Sequence, residues 1–221
     1  MILLASKSSG RLATLRAAGV DPLVRVSSVD EEAVLGELFQ RRRDAGLTAP
    51  SAAEQVQALA RAKALDVMAS TDPQEAEVVV GCDSMLEISG QVVGKPADAA
   101  QARERWQMMS GGTGTLHTGH FLVRTADGAI AEGVSSATIR FGSPSPAEVE
   151  AYIATGEPLW CAGAFTIDGL GGAFIEGIDG DPHGVVGISL PLLRRLLADL
   201  EVLWTDLWAP PPVMKPTDDA H

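Results

Sequence analysis

Residues 77–82 read EVVVGC, and Asp83 follows at once. A short apolar run rich in β-branched residues is the pattern of a strand covered on both faces, so helices are expected on each side of a sheet. Upstream, ILLA at 2–5 reads as another short strand, and the polar loop Ser6-Lys7-Ser8-Ser9-Gly10 leads into RLATLRAAG, a helical pattern that stops at Gly19. LVRVSS at 23–28 reads as a further strand before VDEE and a weakly periodic stretch through Phe39. RRRDAGLTAP at 41–50 reads as an exposed loop with solvated arginines, because charge, Gly46 and Pro50 all oppose packing. Ser51 and Glu54 have capping-box spacing, so a helix is expected from there to about Ala69, with Val56, Leu59, Ala60 and Val67 as its apolar stripe.

Downstream of Asp83, MLEI and QVVG flank Ser89-Gly90, which predicts a hairpin turning on the glycine. A helix is expected from near Asp98 to about Met109, and MSGGTGT then reads as a glycine-rich loop before the strand TGHFLVRT. Ala126-Asp127-Gly128 turns the chain into a second long strand ending near Phe141. Ser145-Pro146-Ala147-Glu148 combines a cap, a proline at the first helical position and a returning carboxylate, so a helix starts there and Gly156 ends it. Residues 161–187 read as short strands and close turns, LPLLRRLLADL at 190–200 as a closing helix, and 209–221 as a flexible, acidic, proline-rich tail. The fold class is α/β.

The chain has 221 residues, 46% of them apolar, so it can bury a sizeable core, and residues 1–208 are expected to form one domain of two intimate lobes. A net charge of −12 opposes long-range attraction to nucleic-acid polymers and anionic membranes. The start lacks the pattern of a signal peptide, and no apolar run has the length of a membrane span. Cys82 and Cys161 are too few for a disulfide framework and lie in apolar segments, so a reducing, cytoplasmic setting is the expectation.

Several residues could carry chemistry, and each has a plainer reading. The Ser6–Arg11 loop precedes a helix whose N-terminal amides and dipole suit phosphate, yet serine caps at an ordinary strand-to-helix turn look the same. Asp83 stands where a buried strand is expected to finish, an edge that faces ligands in open α/β sheets, where it could hold magnesium, take a proton from water or cap a turn. Glu31 is ambiguous between a second functional acid and an exposed one. Lys63 points to the same side as its helix's apolar stripe, so it either meets an anion or snorkels to water. Lys95 is held between Gly94 and Pro96 in a constrained turn. His117 and His120, three apart in a strand, fall on opposite faces and do not suit joint metal ligation. No GxSxG elbow is present, and Trp106 and Trp160 read as packing residues.

Taken together, ILLASKSSGR, SSVDEE, ALARAKA, GCDSML with GQVVGKP, MSGGTGTLHTG, YIATGEP and CAGAFTIDGLGGAFIEGIDGDPHGVVG follow one another as in the Maf family of nucleotide pyrophosphatases. The chain resembles that family from residue 2 to about residue 200. The resemblance implies a fold like that of the inosine triphosphate pyrophosphatases: a long, twisted mixed sheet with flanking helices around a central cleft, commonly in a homodimer. It implies hydrolysis of a nucleoside triphosphate between its α and β phosphates, with a divalent metal, magnesium first and manganese second. Carried over by motif position, Asp83 is the catalytic aspartate, Glu31 a second acid for metal, Lys63 and Lys95 grip phosphates, and Ser6, Ser8 and Arg11 form the phosphate loop. The alternative in another class is a nucleotide-binding regulator of cell division with little turnover.

Two departures from the family pattern bear on substrate. Many relatives have Ser-Pro-Arg-Arg after the first strand, whereas this chain has Ser8-Ser9-Gly10-Arg11. The branch associated with dTTP and UTP carries a later glutamine where this chain has Asp168, which only accepts hydrogen bonds. Asp168 is therefore expected to contact the base and to suit neighbouring N–H groups, as on guanine or a methylated guanine, better than a pyrimidine.

Overall fold

The structure is a computed structural model that describes residues 1–209. The tail expected at 209–221 therefore lies outside the described residues apart from Ala209, whose amide donates to the Gly19 carbonyl at 2.7 Å. The elements run β1 (Ile2–Leu4), α1 (Ser9–Ala17), β2 (Leu23–Val24), α2 (Glu31–Asp44), α3 (Ala52–Met68), β3 (Val78–Ile88), β4 (Gln91–Val93) and α4 (Ala99–Met109). They continue with β5 (Thr113–Arg124), β6 (Ile130–Phe141), α5 (Pro146–Ala154), β7 (Ile175–Asp179), α6 (Pro182–Val186) and α7 (Leu190–Asp199).

Seven strands form one sheet in the order β2-β1-β3-β5-β6-β7, with β4 paired to β3 off this path. The β1 strand pairs in parallel with β2 and β3, and the other pairings are antiparallel, so the sheet is mixed. Helices flank it as the composition of β3 demands. Val79, with Leu3, Phe121 and Val123, packs against Ala60, Ala64 and Val67 of α3. On the opposite face, Val78, Val80 and Cys82 meet Leu15 of α1 and Leu193, Leu196 and Leu197 of α7. Further along β3, Leu86 joins Leu116 and Ile139 under Trp106 and Met109 of α4 and Tyr152 of α5.

Helix α3 approaches the sheet unusually closely, and two glycines permit it. A Cβ on Gly81 would stand 2.2 Å from the Ala60 carbonyl oxygen, and one on Gly119 2.5 Å from that of Val56. Gly119 is also the cross-strand partner of Asp83. The helix backbone thus rests on the sheet beside that aspartate, which brings the α3 side chains within reach of it.

Local signals hold at many ends. Ser51 with Glu54 and Ser145 with Glu148 both close capping boxes, and Asp98 caps α4. Ser89 and Gly90 both take positive φ, 51° and 76°, as a two-residue hairpin turn requires. Four readings are corrected. The strand beginning at Val78 does not finish at Cys82 but runs through Asp83 to Ile88, because β5 pairs with it throughout. β5 itself begins at Thr113, inside the stretch expected to be a loop; Gly114 lies against Leu86 and the Glu87 backbone, where a side chain would crowd. β2 spans only Leu23–Val24 rather than 23–28. Arg41, Arg42, Arg43 and Asp44 belong to α2, since arginine is a good helix former and its charge suits the helix C-terminus. Arg42 is not simply solvated: it pairs with Glu54 and donates to the Thr48 carbonyl. Among the described residues no helix is long and apolar enough to cross a membrane.

Candidate active site

Asp83 sits mid-strand in β3 and is 8% exposed. Because side chains alternate along a strand, Asp83 shares the α3 face with Val79, while Ser84 turns to the other face. Lys63 of α3 donates from Nζ to Asp83 Oδ1 at 2.5 Å and pairs with Glu31 Oε1 at 2.7 Å. The lysine side chain is only 12% exposed, so it does not snorkel to solvent. Glu31 opens α2, where the Asp30 side chain caps the helix by accepting from the Ala33 amide. A buried ammonium is tolerable here because two carboxylates converge on it.

The two acids are tuned apart. Burial pushes the Asp83 carboxyl above its ordinary value, and the positive charges of Lys63 and Arg11 only partly offset this. Burial acts the same way on Glu31, but the hydrogen bond from Lys63 and the charges of Lys63, Lys95 and Lys7 outweigh it and hold that carboxyl below its ordinary value. Glu31 is thereby the firmer anion, and Asp83 the carboxylate with the greater affinity for a proton.

Lys95 and Lys7 are exposed and reach this cluster through their charge. The Lys95 backbone is fixed from α4: Arg105 donates to the Gly94 carbonyl at 2.5 Å and to that of Lys95 at 3.2 Å. Gly163 donates to the same Gly94 carbonyl at 3.0 Å, joining this turn to the glycine-rich segment. Among the described residues, no hydrogen bond or ion pair joins the Lys95 or Asp168 side chain to Lys63, Glu31 or Asp83.

The first loop is built around Arg11. Ser8 caps α1 by accepting from the Arg11 amide at 3.3 Å, and Ser6 Oγ accepts from the Ser8 amide and from Arg11 Nη1. Arg11 is buried, with Nε donating to the Gly187 carbonyl at 2.7 Å and Nη2 to Ser84 Oγ at 3.1 Å. Ser84 Oγ is also 2.8 Å from Thr118 Oγ1, which donates to the Gly184 carbonyl. Ser84 and Thr118 are cross-strand partners, and the only local sign of them is that Ser84 directly follows Asp83.

Asp168 lies in the irregular segment after α5, exposed, with Oδ2 3.6 Å from the point where a Cβ on Gly10 would stand. The loop after β1 and the segment carrying Asp168 therefore face each other. Trp106 packs in the core, but Trp160 is 78% exposed, which corrects its reading as a packing residue: the turn Glu157–Trp160 runs along the surface. His120 is buried, pushed down to about 4 chiefly by burial, and its Nε2 accepts from the Ser189 amide at 2.9 Å. Burial also pushes the Cys82 thiol up to about 11, so it stays protonated and inert.

The sequence pattern that describes Maf-like proteins matches residues 1–200. The chain belongs to the Maf family. Among its relatives, a protein of Streptomyces coelicolor is 51% identical over 209 residues, covering 95% of each chain. One of Mycobacterium sp. strain JLS is 49% identical over 212 residues, covering 94% of this chain and 97% of its own. One of Saccharopolyspora erythraea is 51% identical over 214 residues, covering 95% and 97%. All three are named nucleoside triphosphate pyrophosphatase.

The resemblance to the Maf family implies a divalent metal. Among the described residues no group of three or more His, Cys, Asp and Glu side chains is placed to hold an ion. Asp83 and Glu31 nevertheless present oxygens to one point, the Lys63 ammonium. Two carboxylates with no soft ligand fit a hard cation that takes its other ligands from water and phosphate.

Proposed function

We propose that this protein is a nucleoside triphosphate pyrophosphatase, converting a triphosphate and water to the monophosphate and pyrophosphate. The observation that carries the reading is the convergence of Asp83 and Glu31 on the largely buried Lys63 side chain, within the electrostatic reach of Lys7 and Lys95. Hydrolysis of a phosphoanhydride needs charge neutralisation and in-line alignment more than covalent chemistry, and a base with two or three cations is the set required. Asp83, whose affinity for a proton burial raises, accepts one from the attacking water. Lys63 holds the Asp83 carboxylate in position, and Lys95, with Lys7, balances the charge of the triphosphate. Ser6, Ser8 and the remaining N–H donors of Arg11 form the phosphate loop.

Asp83 and Glu31 are the residues that would hold a divalent cation, magnesium or manganese. When bound, that ion supplies further charge neutralisation to the phosphates. In the same reading, residues 1–208 act as one catalytic unit of two lobes, in a cytoplasmic homodimer. A regulator that binds nucleotide without turnover has no observation in its favour.

The test is turnover of a nucleotide panel by the purified protein, with monophosphate and pyrophosphate both quantified, in magnesium and in excess chelator. Stoichiometric release of the two products in magnesium is expected, falling to background with chelator. Orthophosphate as the primary product would refute cleavage between the α and β phosphates. Asp168 is read as the acceptor of N–H groups on the base, so guanine-type nucleotides lead the panel, and Asp168→Asn narrows their lead by about tenfold. Preference for dTTP or UTP in the parent protein would overturn that assignment.

A further inference from the structure

Asp168 makes no side-chain hydrogen bond or ion pair among the described residues, so its direction depends on the backbone turn that carries it. That turn is wrapped around one carboxylate. Glu157 Oε1 accepts from Thr166 Oγ1 at 2.6 Å, from the Gly171 amide at 3.0 Å and from the Tyr152 hydroxyl at 2.8 Å, while Oε2 accepts from the Leu170 amide at 3.0 Å. Three of these donors flank Asp168 in sequence, and the fourth, Tyr152, belongs to α5, which packs into the core. The chain can close this tightly only with glycine. A Cβ on Gly169 would stand 2.7 Å from Glu157 Oε2, and one on Gly171 2.4 Å from the Tyr152 hydroxyl.

We propose that Glu157 is a positioning residue for nucleotide selection: it fastens the Thr166–Gly171 turn to α5 so that Asp168 faces Gly10 across the site. This rests on the reading that Asp168 contacts the base. Glu157 touches neither substrate nor reacting phosphate. It acts by making the turn rigid, so the binding site for the base exists before the nucleotide arrives and ordering it takes no free energy from binding. Four donors on one carboxylate leave no place for an amide N–H. In Glu157→Gln, whichever oxygen the NH2 group replaces, it meets a donor head-on, and the turn must let go at that point.

The test measures kcat and KM for GTP, 7-methyl-GTP, UTP and dTTP in the parent and in Glu157→Gln, Tyr152→Phe and Asp168→Asn, together with thermal melting. Glu157→Gln is expected to raise KM for the preferred nucleotide about tenfold, to narrow its lead over the others by a similar factor, and to leave kcat within about twofold. Tyr152→Phe, which deletes one donor and keeps the ring, shifts the same quantities in the same direction by about threefold. In the Asp168→Asn background, Glu157→Gln should narrow the lead no further. A fall in kcat at unchanged KM, or lower melting with base preference intact in both the Glu157 and Tyr152 variants, would overturn the proposal. If Asp168→Asn itself leaves preference unchanged, the base assignment fails. If Asp168→Asn shifts preference while Glu157→Gln does not, only the role of Glu157 fails.

Discussion

Asp83→Asn is expected to lower kcat about a thousandfold, within the range a positioned general base supplies, while leaving the fold intact. The substitution is nearly isosteric and keeps an oxygen for Lys63, so the packing beneath it, Gly119 on β5 and the α3 backbone, is undisturbed. What the proposed mechanism loses is its proton acceptor. Burial has already raised the affinity of this carboxyl for a proton, which suits it to take one from water, and no other carboxylate in the cluster matches it. Glu31 is held below its ordinary value by Lys63, Lys95 and Lys7, so it is a poor substitute as base. Pyrophosphate release by parent and variant, with melting curves as the control on folding, measures the effect. Parent-like turnover by a folded Asp83→Asn protein would remove Asp83 from the chemistry.

Gly81→Ala is expected to destabilise the protein by about 3 kcal/mol, at the upper end for overpacking a core, and to lower its melting temperature by about 10 °C. The added methyl would stand 2.2 Å from the Ala60 carbonyl oxygen and 2.9 Å from the Ala64 amide nitrogen. Both are helix backbone, which has no rotamer to change, so α3 must lift as a body. Lys63 rides on that helix between these two contacts, and lifting it draws the ammonium away from Asp83. Activity should therefore fall even at temperatures where the variant is folded. Gly36→Ala is the control. Gly36 lies in α2 with nothing within 4 Å of the added methyl, and alanine there is expected to stabilise by roughly 0.5–1 kcal/mol by restricting the unfolded chain. Equal melting of the Gly81 and Gly36 variants would show that the close contact is not what seats α3.

Much of the site was legible because its residue types are improbable where they stand. Lys63 on the apolar side of α3 has to meet either an anion or water, and Asp83 after EVVVGC is an anion it meets. Glu31 was ambiguous from sequence, since an acid in the first turn of a helix is favourable in any case. Its pairing with Lys63 joins α2 to α3, and nothing local determines it. The Arg11, Ser84, Thr118 and Gly184 chain of hydrogen bonds was illegible for the same reason: it joins α1, β3, β5 and α6, far apart in sequence. The extent of β3 and β5 has a related cause. Asp83, Gly111, Gly112 and Gly114 are poor strand formers on their own, so local pattern alone ends β3 too early and begins β5 too late. The ladder between β3 and β5 overrides those preferences.

By itself the sequence determined the local matters: the capped starts of α3 and α5, the Ser89-Gly90 turn, the double-sided burial of Val78–Val80, and the membership of a family through motifs kept in order. These follow from interactions among residues a few positions apart, or from composition that admits one environment. Only the tertiary structure decided that Lys63 has two carboxylates rather than water, that Arg11 is buried among serines and a carbonyl, and that Glu157 holds the turn bearing Asp168. Each depends on how closely two backbones approach, and at Gly81 and Gly119 that distance is set by the absence of a side chain, whose partner across the gap no stretch of sequence names.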